Sequence, residues 1–385
     1  MSVSDIEMST GMKVLHFGTL YASAGGPAMS TYLSLKGLRA LGTDALMAMF
    51  ELPDLGALRG DDVPIVWCRK PWRGKLSYSP ILKKELLAVE HPDIYHIQGV
   101  WQYPSYAMAD VARRRKKPYL ITPRGMLYPQ DIQKSNALFK RISLKWRLLD
   151  DLNRAACVHV TCEEEMKHCR ALGVKSPIAV IPNPVEVKTY LPMQTDDIFR
   201  VGYLGRLSPR KNVESLLTAF AQLNIPQSEL LIIGGGDEAY EHYLRQETQR
   251  MGLTNVTFTG FLSGEEKDKT LSSLSLLVMP SEFENMGNVI LEGLIRGIPC
   301  IATKGAPWKD LEDAHCGWWV NYNQEAITEA IRQASMMDSK DLAVMGANGK
   351  QLIKSKYAVE VVVKQLNSLY MWIMGRADKP SFVYL

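Results

Sequence analysis

The stretch Pro280-Ser281-Glu282-Phe283-Glu284-Asn285-Met286-Gly287-Asn288-Val289-Ile290-Leu291-Glu292 decides how this chain reads. An apolar strand, 275–279, is expected to run straight into it, and an apolar helix to begin at Gly287. Two carboxylates, Glu284 and Glu292, flank that glycine with seven residues between them. A strand end, a tight turn and a helix N-terminus make a ready anion site, because free backbone N–H groups and the helix dipole point at one spot. Carboxylates beside such a site suit sugar or ribose hydroxyls while the amides hold phosphate. The combination suggests a nucleotide-sugar pocket.

Working outward, short apolar runs alternate with amphipathic helical stretches along the whole chain. Strands are expected at 13–17, 45–50, 64–67, 94–98, 119–122, 157–161 and 178–181. In the second half they are expected at 200–204, 229–233, 255–258, 276–279, 300–302 and 318–320. Many are continuously apolar, as strands buried on both faces should be, and alternation with helices implies parallel sheets. Pro27 after Gly25-Gly26 suits a first helical turn. Thr161-Cys162-Glu163-Glu164 has the capping-box pattern. The rhythm pauses at Pro182-Asn183-Pro184, stays loose to about 197, and restarts at Phe199. A domain boundary is expected there, giving domains 1–184 and 185–360, two similar α/β layers whose strand ends face a shared cleft.

Several loops at expected strand ends carry chemistry. Gly205-Arg206-Leu207-Ser208-Pro209-Arg210-Lys211-Asn212 places two cations, Arg206 and Lys211, five residues apart before a helix start near Asn212. A diphosphate needs more than one positive charge, plus donors, to offset its own repulsion; a solvated basic turn is the other reading. Gly25 and Gly26 allow close backbone approach, but the loop is not G-x-G-x-x-G, so dinucleotide binding is not supported. Gly234-Gly235-Gly236-Asp237 fits either a loop that lets a nucleotide pass or a simple turn. His96, at a strand end, either meets an acceptor or is structural. Trp101, Tyr103 and Tyr106 either line a groove for a sugar, which stacks well on aromatic faces, or pack a core. Arg124, in Pro123-Arg124-Gly125-Met126, points into the cleft or pairs with a surface acid.

Composition sets the limits. At 385 residues, 46% apolar and 22% charged, the chain reads as a soluble protein of two domains. The run 1–11 is polar and reads as a loose tail rather than a secretory signal. No apolar run approaches the roughly 20 residues of a membrane helix. None of the six cysteines stands in C-x-x-C spacing, so zinc and a disulfide framework are not expected. No D-x-D motif is present; Asp61-Asp62 and Asp150-Asp151 read as surface charge. Net charge is +4 but uneven. The first half concentrates Arg69, Lys70, Arg73 and Lys75; the run 113–117; and Lys134, Lys140, Arg141, Lys145 and Arg147. These favour anionic lipid head groups or a pyrophosphate-bearing acceptor, with a solvated helix end equally open for 113–117. No nucleic-acid signature is seen.

These motifs together resemble the retaining glycosyltransferases of family 4. Gly205-Arg206 with Lys211, Glu284-x7-Glu292, and Gly297-Ile298-Pro299-Cys300-Ile301-Ala302-Thr303 resemble that family's donor half. Gly25-Gly26-Pro27, His96-Ile97-Gln98-Gly99-Val100-Trp101, Thr122-Pro123-Arg124-Gly125-Met126 and Ile181-Pro182-Asn183-Pro184 resemble the other half. Lys304-Gly305-Ala306-Pro307-Trp308 and Cys316-Gly317-Trp318-Trp319 resemble the bacterial members that build capsular polysaccharide, exopolysaccharide or O-antigen.

The resemblance implies the GT-B fold: two Rossmann-like domains with parallel sheets facing a central cleft. The N-terminal one would bind acceptor, the C-terminal one donor, and the last helix, near 361–375, with the tail to 385 would cross back onto the first. It implies that Arg206 and Lys211 hold the donor diphosphate, that Glu292 binds ribose hydroxyls and that Glu284 contacts the transferred sugar. The amides around Asn285, Met286, Gly287 and Asn288 would meet sugar or phosphate, and Gly25 and Gly26 would close over the phosphates. His96, Trp101 and Arg124 are the acceptor candidates. UDP is favoured over GDP as the donor base, with a lipid-linked or free saccharide acceptor. No metal or other cofactor is expected. The expected place is the cytoplasm, with peripheral contact to the anionic inner membrane. Two departures stand out. The family usually has Glu-Gly-Phe-Gly at 284–287, and many members have His where Arg124 stands. Rival readings are a glycoside hydrolase using Glu284 and Glu292, a nucleotide-sugar epimerase of the same fold, and a non-catalytic sugar-nucleotide binder.

Overall fold

The apolar runs become strands because each is buried on both sides: Ile94–Gln98, Tyr119–Thr122, Cys157–Val160, Leu276–Met279 and Cys300–Thr303 are almost wholly inside. A computed structural model describes residues 11–385 except 53–55, 59–61, 73, 75, 135 and 194–195. The expected tail 1–10, Asp61, Arg73, Lys75 and the side chain of Lys134 lie outside the described residues. The chain divides into two compact units. One runs to Glu186 and takes in Val359–Leu385; the other is Val187–Ala358.

The first unit contains β1 Lys13–Phe17, β2 Asp44–Phe50, β3 Ile65–Cys68, β4 Ile94–Gln98, β5 Tyr119–Thr122, β6 Cys157–Val160 and β7 Ile178–Val180. The second contains β8 Phe199–Leu204, β9 Ser228–Ile233, β10 Val256–Gly260, β11 Leu276–Met279, β12 Cys300–Thr303 and β13 Gly317–Val320. A final strand, β14 Val383–Tyr384, returns to the first. Sheet orders are β14-β7-β6-β5-β4-β1-β2-β3 and β10-β9-β8-β11-β12-β13. All pairings are parallel except β14 on β7. Strand order therefore reverses between β1 and β4 in one sheet and between β8 and β11 in the other. In a doubly wound sheet the crevice outside those strand ends is where ligands bind.

In the first unit, buried side chains form a cluster on each face of the sheet. One of these takes in Val362, Val363, Leu366, Leu369 and Tyr370 from the helix Val359–Ile373, which packs on the helix Gly26–Ala40. In the second unit the core gathers Leu216, Leu217 and Phe220 from the helix Val213–Leu223 with Ile327 and Ile331 from the helix Gln324–Ser335.

Three expectations are corrected here. The helix cap at 161–164 is shifted by one. Cys162 is the N-cap, its thiol accepting from the Glu165 amide, and Glu165 rather than Glu164 reaches back to the amide and hydroxyl of Thr161. Asp151 is not surface charge. It is 2% exposed and receives Arg113 at 2.5 Å and Arg147 at 2.8 Å. The 113–117 run is largely spent inside its own unit: Arg113 also pairs with Asp110, Arg115 donates to the carbonyls of Leu87 and Val89, and Lys117 pairs with Asp93. Only Arg114 and Lys116 of that run are exposed.

Candidate functional site

Two sets of functional candidates stand at the two sheet reversals. In the second unit, the loop leaving β8 and the loop leaving β11 are stitched together by hydrogen bonds. The Glu282 amide donates to the Arg210 carbonyl at 2.9 Å, and the Asn212 side chain donates to the Pro280 carbonyl at 3.3 Å. That stitching brings Lys211, from the 3₁₀ turn Pro209–Lys211, onto the Glu284 carboxylate as a direct ion pair. Both side chains are largely enclosed, at 18% and 11% exposure. Arg206, in contrast, is exposed and has no ion-pair partner among the described residues.

The turn after Glu284 is held from several sides. Glu284 donates its amide to the Gly305 carbonyl at 2.9 Å. Trp308, fully buried, donates its indole N–H to the Met286 carbonyl at 2.5 Å, and Trp319 donates to the Ala306 carbonyl at 2.7 Å. Trp308 thus clamps this turn, and Trp319 holds the 304–308 segment that carries Trp308. Gly287 then enters the left-handed region (φ 67°) as N-cap of the helix Asn288–Arg296. A Cβ there would come within 2.7 Å of the Met279 sulfur, so any other residue would have to displace that side chain as well as hold a left-handed backbone that favours glycine. The result is a nine-residue helix that starts after Gly287 with no side chain capping it, the kind of helix end that suits an anion.

Glu292 lies on that helix with its carboxylate 2.5 Å from Lys267. Lys267 is not legible from sequence: it lies in the polar helix Gly264–Ser272, without apolar periodicity or motif around it. The Gly234–Gly236 loop has a use that its own residues do not announce. A Cβ on Gly234 would fall 2.0 Å from the Gly205 carbonyl oxygen, and one on Gly236 2.4 Å from that of Leu207. These glycines make room for the Arg206 loop, which they hold through Leu207 N to Gly235 O at 3.1 Å.

In the first unit, the loops after β1 and β4 wall a cavity of about 740 Å³, chiefly apolar, that includes Phe17, Phe50, Trp101, Met126 and Phe139. Trp101 is in place: it lines the cavity and fixes its ring by donating to the Met126 carbonyl at 3.0 Å. Tyr103 and Tyr106 do not line it; Tyr103 packs on Tyr78, and Tyr106 hydrogen-bonds Ser143 at 2.7 Å. Gly25 is exposed as N-cap of the helix Gly26–Ala40, and Pro27 of that helix reaches the cavity wall.

His96 is corrected. It is 1% exposed and both its ring nitrogens are engaged, so it offers nothing to an acceptor. It belongs to a buried chain of hydrogen bonds built by strand register. β1 and β4 place His16 opposite His96, ring centroids 4.5 Å apart, and His159 follows from β6. Burial, with the Arg124 charge adding to it, lowers His16 to about 3 and His159 to about 4, and holds His96 well below its usual value. All three are therefore neutral, and neutrality orders the protons, because a neutral ring has one donor and one acceptor. His159 Nε2–H must donate to the Ile181 carbonyl at 2.9 Å. Its Nδ1 then accepts from Thr122 at 3.1 Å, Thr122 accepts from His96 Nε2–H at 2.7 Å, and His96 Nδ1 accepts from Tyr370 at 2.7 Å. Tyr370 accepts from His16 Nε2–H at 3.2 Å, His16 Nδ1 accepts from Gln98 at 3.2 Å, and Gln98 accepts from Arg124 Nε at 2.9 Å.

Arg124 starts that chain, and its remaining donors go to Thr31 at 2.8 Å and to Ser30 and Asn183 at 3.2 Å each. It is not paired with a surface acid. Burial lowers its guanidinium to about 10, and it shows only part of itself to the cavity. Nearby, Glu165 is fully buried; burial pushes its carboxyl up, against the Thr161 and Gly125 amides that hold it.

All six cysteines are buried, and burial raises the Cys68, Cys157 and Cys316 thiols to about 12. Among the described residues no three His, Cys, Asp or Glu side chains form a group that would hold a metal, and no helix is long and apolar enough to cross a membrane.

Comparison with known proteins fits this geometry. Residues 194–352 match the family model of Glycosyl transferases group 1, and residues 25–184 match that of the Glycosyl transferase 4-like domain. An uncharacterised glycosyltransferase of Methanocaldococcus jannaschii is 29% identical over 227 residues, 57% of this chain and 52% of that one. A GDP-mannose-dependent alpha-mannosyltransferase of Corynebacterium glutamicum is 38% identical over 108 residues, 28% of this chain and 24% of that one. The chain spans about half the length, or less, of these curated relatives. Among solved structures, Anabaena HepE in complex with UDP and glucose has the same fold, with a TM-score of 0.75 at 21% identity over 93% of this chain and 99% of that one.

Proposed function

We propose, from the premise that this chain belongs to the family 4 glycosyltransferases with the GT-B fold, that it is a retaining enzyme moving a sugar from a nucleoside-diphosphate sugar to a saccharide acceptor. The observation that carries this reading is the second unit's reversal point. There an exposed Arg206, an ion-paired Lys211 and the N-terminus of the helix Asn288–Arg296 all follow the ends of the adjacent strands β8 and β11. Three positive features after neighbouring strand ends suit a diphosphate.

In the proposed reaction the bond between the anomeric carbon and the diphosphate oxygen breaks. Arg206, Lys211 and the helix N-terminus take up the charge growing on the leaving oxygen, a preorganised electrostatic contribution. The acceptor oxygen bonds to the anomeric carbon on the same face, and its proton passes to the departing phosphate. No protein base is assigned. Glu284 would hold both Lys211 and the sugar, and Glu292 the ribose hydroxyls. The apolar cavity of the first unit would take the acceptor, with Trp101 as its aromatic wall. UDP is the favoured base and GDP the second: HepE was solved with UDP and glucose, and the Corynebacterium relative is GDP-mannose-dependent. A lipid-linked acceptor and a part in bacterial surface polysaccharide complete the proposal, set in the cytoplasm at the inner membrane face.

A thermal-shift screen of the full chain against UDP-, GDP- and ADP-sugars tests it, because a ligand that binds only the folded state raises its stability. A rise with one base class, at concentrations well above its Kd, is expected. No rise with any of them removes the proposal.

A further inference from the structure

The helix Ala137–Ser143 continues through a π-turn, Leu144–Leu148, into the helix Leu149–Arg154. It carries two apolar stripes. Leu144, Leu148 and Leu152 recur every fourth residue and face the core of the first unit. Leu138, Ile142 and Trp146 recur at the same spacing on the other side and are 74%, 48% and 86% exposed. Residues four apart share a helix face, so this second stripe is a continuous surface. Helices of soluble proteins put polar residues there; an apolar stripe rimmed by charge marks an interaction site.

The charge says with what. Residues 137–147 hold four cations and no acid. Two are committed internally: Lys140 donates to the Asp131 carbonyl, and Arg147 pairs with Asp110 and Asp151. Arg141 and Lys145 remain exposed, with no ion-pair partner among the described residues, one on each turn beside the apolar stripe. An outward tryptophan, aliphatic neighbours and flanking cations are the composition of an element that lies in a lipid head-group layer. Phe139, 42% exposed, and Lys140 also wall the cavity, as do Leu76 (43% exposed) and Ser77 from the 69–78 segment, where Trp72 is 66% exposed against Tyr78. The stripe therefore runs to the cavity rim.

We propose that Leu138, Ile142 and Trp146, with Arg141 and Lys145, form an interfacial anchor that seats the first unit on an anionic lipid bilayer, with the cavity rim at the head-group layer. This deepens the lipid-linked acceptor named above, and bilayer binding is read without nucleotide or turnover, so the two stand or fall separately.

The test is sedimentation of the full chain with phosphatidylcholine vesicles, with and without roughly one-third phosphatidylglycerol. Binding to the anionic vesicles that weakens as salt rises is expected. Leu138→Ser with Trp146→Ser should weaken it about tenfold or more, and Arg141→Glu with Lys145→Glu should abolish it, both at unchanged melting temperature. Absence of binding to anionic vesicles, or binding untouched by both double variants, overturns the proposal. So does a surface used by another copy of the chain, read as a dimer that the Leu138→Ser/Trp146→Ser change dissociates while vesicle binding stays.

Discussion

The two sheet reversals of this molecule hold polar residues in opposite ways. At β1 and β4, each ring nitrogen from Arg124 to Ile181 has a protein partner, and the three histidines are buried neutral. At β8 and β11, Lys211 pairs with Glu284, Arg206 is exposed, and the helix Asn288–Arg296 starts without a side-chain cap. A polar group whose partners are all internal contributes to the fold. One whose partner is incomplete is available to a ligand. The contrast fits a structural role for the first set and the donor site proposed for the second.

The sharpest way to break this contrast is Lys211→Ala. Losing one preorganised donor to the leaving group should lower kcat by about 10²–10³-fold, read in a transfer assay once a donor is found. Near-normal turnover would take Lys211 out of the phosphate site. The next effect is acidification. His16 and His159 bind protons at about 3 and about 4 when folded but near 6.5 when unfolded. Below 6.5 the unfolded chain holds more protons, so stability falls as pH falls, by up to about 1.4 kcal/mol per pH unit for each site. Chemical denaturation between neutral pH and pH 5 should show this slope; a flat profile would mean the histidines are not held neutral. Arg124→Ala comes third. It leaves the Gln98 and Asn183 carbonyls and the Thr31 hydroxyl short of a donor, which should cost about 2–3 kcal/mol while nucleotide affinity stays unchanged. A loss of nucleotide affinity in the folded variant would erase the contrast. Smallest is Glu292→Ala, expected to weaken nucleotide binding about tenfold, the scale of one hydrogen bond to a charged group, by calorimetry; equal affinity would remove its ribose role.

Much of this is legible in the sequence, for a definite reason. Strands of a parallel sheet are buried on both faces, so β1, β4, β5 and β11 announce themselves as short, mostly apolar runs, with the bounds that the structure gives them. The motif loops are legible because they follow those strands directly. What does not show is a partner far away in sequence. Asp151 reads as half of a surface Asp pair until Arg113 folds onto it. His96 reads as a lone strand-end histidine until register sets His16 beside it and Tyr370, 274 residues away, caps it. Glycines 234–236 read as a turn until the Gly205 backbone arrives against them. β14, two residues long, has no periodicity to detect. The exposed stripe at 138, 142 and 146 is hidden because the same helix carries an inward stripe, and sequence alone does not say which of the two is covered.

The central claim is that the donor nucleotide sits at the β8–β11 reversal. Calorimetric titration of the full chain with UDP and GDP, wild type beside Arg206→Ala/Lys211→Ala and beside Arg124→Ala, tests it most directly. Saturable binding of one of them that the double variant abolishes and the folded Arg124 variant keeps is the expected result. Binding that survives loss of both cations would contradict it.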